Sequence, residues 1–221
     1  MKIKDLLIIL LAAGLLIVSF KWATSTSGQP LDDKDVPTES AATVNSDGSG
    51  QFTEFNVTEE WDENPFTFFK GSGLLLAVGD KESNNAMTIG WGSLGNIWRS
   101  LGNSTVTVYV AEGRYTYQFM EKYKYFTVMA FDEQHKNILE YMGTHSGRDG
   151  DKAKHLGLHT LYTENGTPYY EEASMVLECE IIYKDAFRPE CMNDSVKKFY
   201  EGFDAGVHHM YIGNIVKALK K

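Results

Sequence analysis

The sequence predicts a mainly β domain, an antiparallel barrel with a few inserted helices, and three observations carry that prediction. Short runs rich in branched and aromatic residues recur between clusters of glycine, asparagine and aspartate. These runs follow one another without the regular strand–helix alternation of a doubly wound sheet. Helical patterning is confined to a few short stretches.

The chain opens with Lys2 and Lys4 ahead of fifteen apolar or small residues, Leu6–Phe20. A short positive flank before such a run is an export signal, either a signal peptide or an uncleaved N-terminal membrane anchor over residues 1–22. Lys21, Trp22 and Ala23 make a poor cleavage site, and no cysteine follows to accept a lipid. Residues 23–50 hold no aromatic residue and one lysine against five acids, too little apolar surface to offset ordering entropy. They read as a disordered linker, about 30 Å in root-mean-square span. The expected location is the periplasmic or extracytoplasmic side of the membrane, and the folded domain is 51–221.

Within that domain the expected strands are Gly73–Gly79, Ala86–Trp91, Ser104–Ala111, Tyr125–Phe131, Met175–Tyr183 and a closing run, Met210–Leu219. Helices are expected over Tyr115–Lys122, over Glu133–Met142 behind a cap at Asp132, over Lys152–His155 and over Asp194–Phe203. Asn84–Ser100 begins as a strand and becomes a glycine-punctuated loop through Gly90, Gly92 and Gly95. Glycines let a ligand approach the backbone, although two core tryptophans in a wide loop would look the same.

Composition excludes several functions. A net charge of −9 without a basic block speaks against binding nucleic acid. His155 and His159 are split by Gly157, and the adjacent His208 and His209 face opposite sides of a strand, so no metal site is expected. Phosphate-loop and serine-hydrolase motifs are missing. Cys179 lies among alternating apolar positions and reads as a buried small hydrophobe, although pairing with Cys191 in an oxidising compartment stays open.

Five segments in order, NAMTIGWGSLGNIWR, TVTVYVAEGRYTYQFMEKYKYFTVMAF, GTHSGRDGDKAKHLGL, TPYYEEASMVLECEIIYKDAF and HHMYIGNIV, resemble the flavin reductase-like family, in particular its flavoredoxin-type branch. The resemblance spans about Asn64–Ala218. It implies an FMN-binding split β-barrel of Greek-key-like antiparallel strands, a homodimer with FMN at its interface, and NAD(P)H or a redox protein as electron donor. It places Asn85, Ala86, Met87, Thr88 and Ile89 along the flavin ring, with short side chains at Ala86 and Thr88 leaving room, and Ser93 and Leu94 in the following loop. Arg114, Thr116 and the start of the helix behind them match the phosphate-holding turn. Ser146, Arg148 and Lys152 approach the same site, with His145 beside them, and which of the three cations meets phosphate is left open. No catalytic acid–base group is implied, since the flavin carries the redox chemistry. A non-catalytic flavin-binding or electron-carrier barrel in an exported protein is the alternative.

Overall fold

The computed structural model describes residues 51–71, 73–98 and 104–221. The expected leader and linker lie outside the described residues. Among the described residues, no helix is long and apolar enough to cross a membrane. In chain order the strands are β1 (Thr53–Glu54), β2 (Leu74–Gly79), β3 (Asn84–Ile89), β4 (Gly92–Asn96), β5 (Ser104–Ala111), β6 (Tyr125–Ala130), β7 (Thr160–Tyr162), β8 (Pro168–Tyr170), β9 (Met175–Ala186) and β10 (His208–Lys220). The α-helices are α1 (Tyr115–Lys122), α2 (Lys136–Thr144), α3 (Lys152–Leu156) and α4 (Asp194–Glu201).

The main sheet is antiparallel, in the order β3-β2-β6-β9-β10-β5-β4, and β1 pairs with the end of β10 through Thr53 and Lys220. β3 and β4 end this path, yet only Gly90 and Trp91 separate them in sequence. Laid flat, seven strands would hold these ends about 29 Å apart, whereas three extended residue steps reach about 11 Å. The sheet therefore rolls into a barrel left open along a split between its first and last strands. Register shifts in the β9–β10 ladder at Ile212/Gly213 and Ile215/Lys217 bend it. At Gly213 a Cβ would stand 2.6 Å from Phe126 Cζ and 2.7 Å from Cys179 Cβ, so only glycine fits where the strands close over the core.

β2 explains why one strand reads as an unbroken apolar run. Leu74, Leu76 and Val78 enter the barrel interior, where they meet Val106, Val108, Phe126, Leu177 and Tyr211. Leu75 and Ala77 belong to a second core layer with Met129 and with Ile138, Leu139 and Met142 of α2. Both faces are thus buried, which removes the polar alternation of a half-exposed strand. Each large side chain so buried contributes roughly 1.5–3 kcal/mol. The β7–β8 hairpin completes this layer: Thr127 Oγ1 donates to Pro168 O at 2.6 Å, and the buried Glu178 carboxylate accepts from Thr163 and Thr167 hydroxyls at 2.5 and 2.9 Å.

The antiparallel barrel with inserted helices matches the sequence reading, and several boundaries differ. The second expected strand begins two residues earlier and ends at Ile89. Gly92–Asn96, read as loop, is a strand zipped onto β5 from Gly92–Val108 to Asn96–Ser104, because pairing overrides its turn-like composition. β9 and β10 run longer than expected. Glu133–His135 is a 3₁₀ turn ahead of α2, and Asp132 makes no side-chain cap bond. The expected helix at 194–203 stops at Glu201, its start capped by Asn193 accepting from Val196 N–H.

Candidate functional site

A cavity of about 410 Å³ opens along the split, between β3 on one side and Tyr109 and Ala111 of β5 on the other. That volume is in the range of small-molecule sites. Arg114, Arg148 and Lys152 line it together with His145 and His208, and no aspartate or glutamate does. In a chain of net charge −9, this concentrates positive potential at one place. β3 is a terminal strand paired only with β2, so one row of its peptide groups has no sheet partner.

One end of the cavity is the start of α1. Tyr117 N–H donates to Arg114 O at 3.0 Å, while the N–H groups of Tyr115 and Thr116 have no intrahelical acceptor and carry the positive pole of the helix, a ready anion site. Arg114 occupies the N-cap position without a side-chain cap bond, and its guanidinium lies 6.0 Å from the Phe203 ring centroid. Thr116, almost fully buried, accepts at Oγ1 from Asn85 Nδ2 at 2.8 Å. This bond ties β3 to α1 and leaves the hydroxyl proton of Thr116 available. Arg148 reaches the same end from another loop: its guanidinium sits 5.1 Å over the Tyr115 ring and both Nη atoms lie 3.5 Å from Gly113 O. The approach depends on Gly147, where a Cβ would stand 2.0 Å from Asn85 Oδ1.

Lys152 is 7% exposed, and its Nζ donates to Met142 O at 2.8 Å and His145 O at 3.0 Å. It thereby satisfies the carbonyl end of α2, where a cation also suits the helix dipole. Burial pushes its pKa down to about 8. Ser146 Oγ accepts from Arg148 N–H at 3.2 Å, shaping the turn that carries Arg148. His145 stacks on Tyr141 with centroids 3.8 Å apart.

The other end is aromatic. Trp91 stacks on His208 at 4.3 Å, Phe203 stacks on the same imidazole at 5.1 Å, and Tyr200 Oη lies 2.9 Å from His208 Nδ1. Burial, and secondarily the charge of Arg114, hold His208 below the usual imidazole range, which favours its neutral form. Met87 and Ile89 present their side chains to the barrel core, whereas the Thr88 hydroxyl donates to Leu139 O at 2.5 Å and ties β3 to α2.

Of the residues anticipated from sequence, the structure gathers Asn85, Met87, Thr88, Ile89, Arg114, Thr116, Ser146, Arg148 and Lys152 around the cavity, with His145. It places three elsewhere. Ala86 is buried in the outer core layer, and Ser93 and Leu94 sit on β4 opposite Thr107 and Val106. Tyr109, Tyr115, Phe203 and His208 line the cavity without having been anticipated there. A signal existed for Phe203 and His208 in the density of rings between Phe199 and His208, but no local motif pointed it at β3. Among the described residues no group of three potential metal ligands occurs. Both cysteines are free, Cys179 buried and Cys191 exposed.

A profile of the flavin reductase like domain matches residues 68–220. The sequence has no match among curated proteins. Among solved structures the chain is similar to a flavoredoxin from Methanosarcina acetivorans, with 22% identity, 67% of each chain covered and a TM-score of 0.53. It is similar also to an FMN-binding domain of a flavin reductases-like enzyme from Shewanella baltica OS155, with 14% identity, 78% of each chain covered and a TM-score of 0.55. The flavoredoxin of Desulfovibrio vulgaris (Miyazaki F) gives 21% identity over 67% of this chain and 68% of that one, with a TM-score of 0.51. At these identities the structural likeness speaks for the fold, a split barrel, while the profile covers well over half of the sequence. The chain belongs to the flavin reductase-like domain family.

Proposed function

We propose that this protein is a flavoprotein oxidoreductase that holds FMN non-covalently in the cavity along the barrel split. The observation that carries this reading is the cavity's composition: three cations and no carboxylate at a helix start, an edge strand along one wall, and an aromatic cluster at the far end. A flat, polar-edged ring system with an anionic tail fits that set of donors and surfaces. Arg114, the first turn of α1 and the Thr116 hydroxyl would hold the phosphate, with Arg148 and Lys152 adding positive potential. The unpaired peptide groups of β3 would serve the polar edge of the ring. When bound, FMN supplies the electron-transfer chemistry, and the protein supplies position and electrostatics.

The electrons come from NAD(P)H or from a redox protein. The Lys2, Lys4 and Leu6–Phe20 pattern favours the second donor, because an exported domain does not ordinarily meet reduced nicotinamide. The expected location is accordingly extracytoplasmic, with the leader cleaved or retained as an anchor. The site works as a homodimer: Trp91 at the cavity and Trp98 against Tyr183 of β9 are 43% and 45% exposed, more aromatic surface than a monomer ordinarily leaves open.

Purification tests the reading. The protein is expected to carry flavin absorption bands that are bleached by NADH, NADPH or a reduced redox protein; a colourless protein that leaves added FMN fluorescence unchanged contradicts it. Arg114→Ala is expected to lower FMN affinity roughly ten- to hundredfold, about 1.5–3 kcal/mol, with the fold intact by circular dichroism. An unchanged FMN titration would move the phosphate to Arg148 or Lys152.

A further inference from the structure

Lys152 is shut away from bulk solvent yet fronts two cavities at once. One is the cavity along the split, and the other, of about 480 Å³, lies between the β2–β3 turn and α3. Its surroundings differ from those of the other lysines. Lys124, Lys136, Lys184 and Lys217 hold carboxylates in ion pairs. Hydrogen bonds to Tyr123, Glu180 and Glu164 raise the pKa values of Lys122, Lys124 and Lys217. Lys152 instead meets two backbone carbonyls, Met142 O at 2.8 Å and His145 O at 3.0 Å, and among the described residues no carboxylate pairs with it.

A carbonyl accepts from a neutral amine as readily as from an ammonium. The free amine therefore keeps both bonds with its two N–H groups and carries an unshared pair that neither bond uses. Burial favours that uncharged form, which is why the pKa falls to about 8. A lysine desolvated in this way is suited to imine chemistry.

The charges around Lys152 select the carbonyl compound. Arg148 lines both cavities with it, and the guanidinium is engaged only by the Tyr115 ring at 5.1 Å and Gly113 O at 3.5 Å, so its charge is not neutralised. Two acids face the second cavity. Asp151 is occupied in capping α3, its Oδ1 accepting from Lys154 N–H at 3.0 Å, and Glu82 is exposed on the β2–β3 turn.

We propose that Lys152 is a covalent capture site for an aldehyde that also carries an anionic group, held as an imine with its anion toward Arg148. The amine nitrogen adds to the carbonyl carbon, and the carbinolamine so formed loses its oxygen as water. The ammonium and the aldehyde thus give a protonated imine and one water, with no oxidant or reductant. The imine keeps one N–H for one of the two carbonyls and gives up the other bond, and water reverses the capture. The inference stands on the wall between the cavities and does not require bound FMN.

The experiment incubates the full-length protein near neutral pH with glyoxylate and sodium cyanoborohydride, which delivers hydride to the imine carbon and fixes the adduct as a secondary amine. Propanal, an uncharged aldehyde, runs in parallel, and peptide mass mapping compares Lys152 with its exposed neighbour Lys154. Near neutrality a pKa of about 8 raises the free-amine fraction by roughly two orders of magnitude over an ordinary lysine, partly offset by weaker nucleophilicity. Glyoxylate is accordingly expected to label Lys152 about tenfold faster than Lys154, or more. Propanal should give a several-fold smaller ratio, and Arg148→Gln should bring the glyoxylate ratio down to that of propanal. Labelling of Lys152 no faster than Lys154 would overturn the capture site. Equal ratios for the two aldehydes would overturn the anionic class of the ligand, and an unchanged glyoxylate ratio in Arg148→Gln would overturn the place given to its anion.

Discussion

On the flank of the barrel formed by β2 and β6, both faces of the sheet are covered. Leu75, Ala77 and Met129 lie under Ile138, Leu139 and Met142 of α2, and the hairpin β7–β8 is bolted down through Thr127 and Glu178. Among the described residues, the flank that runs through β4, β5 and β10 is covered less: α1 reaches it where Tyr211 Oη donates to Glu121 Oε1 at 2.9 Å, and α4 buries none of its residues. There Trp91, Trp98, Tyr183, Val196 and Phe199 remain exposed. The difference teaches that the two flanks meet different demands. The covered flank buries both faces of its strands and forms one wall of the cavity, through Asn85, Thr88 and Lys152. The open flank carries the aromatic end of the cavity and leaves large apolar side chains exposed.

Variants can break this contrast, and the largest effect is expected inside the barrel. Phe126→Ala removes a fully buried ring packed against Gly213 and Cys179, and a loss of about 3–5 kcal/mol in denaturant unfolding is expected. Next comes the charge buried in the covered wall. Because the Lys152 pKa is lowered to about 8 from an ordinary value near 10.5, the unfolded chain binds the proton more tightly than the folded chain. Stability should therefore rise as pH goes from 8 to 10.5, by up to about 3 kcal/mol. Lys152→Met should flatten that rise, and saturating FMN or inorganic phosphate should reduce it by favouring the ammonium; identical pH slopes in variant and parent would show that the ammonium is not desolvated. On the open flank the expectation reverses. Trp91→Ala with Trp98→Ala should change monomer stability by less than about 1 kcal/mol, yet weaken self-association by about 2 kcal/mol or more, as buried interface aromatics do. Equilibrium sedimentation over a dilution series reads that shift as roughly a thirtyfold rise in dimer Kd.

What could be read from sequence follows the same division. β2 was legible because Leu74–Gly79 is apolar on both faces, and α3 because Asp151 caps it, accepting from Lys154 N–H. β4 was not, since the residues of GSLGN are turn formers and its strand state comes from its ladder with β5. The hairpin β7–β8 was missed because each strand has three residues, held by hydroxyls reaching Glu178 from outside the strands. The cationic end of the cavity was legible only through the family resemblance of the segments around Arg114 and Arg148, since residue chemistry alone reads both as solvated surface. The aromatic end was not, because Trp91, Phe203 and His208 meet only once β10 has closed the barrel against β5.

The central claim is that the open flank is completed by a second copy of the chain and that FMN sits where the two meet. Sedimentation velocity of the purified protein at micromolar concentration, with flavin absorbance followed along the boundary, tests it directly. The expected result is a dimer carrying one FMN per chain, with flavin lost as dilution or the Trp91→Ala, Trp98→Ala double variant yields monomer. A monomer that retains FMN at unit stoichiometry would contradict it.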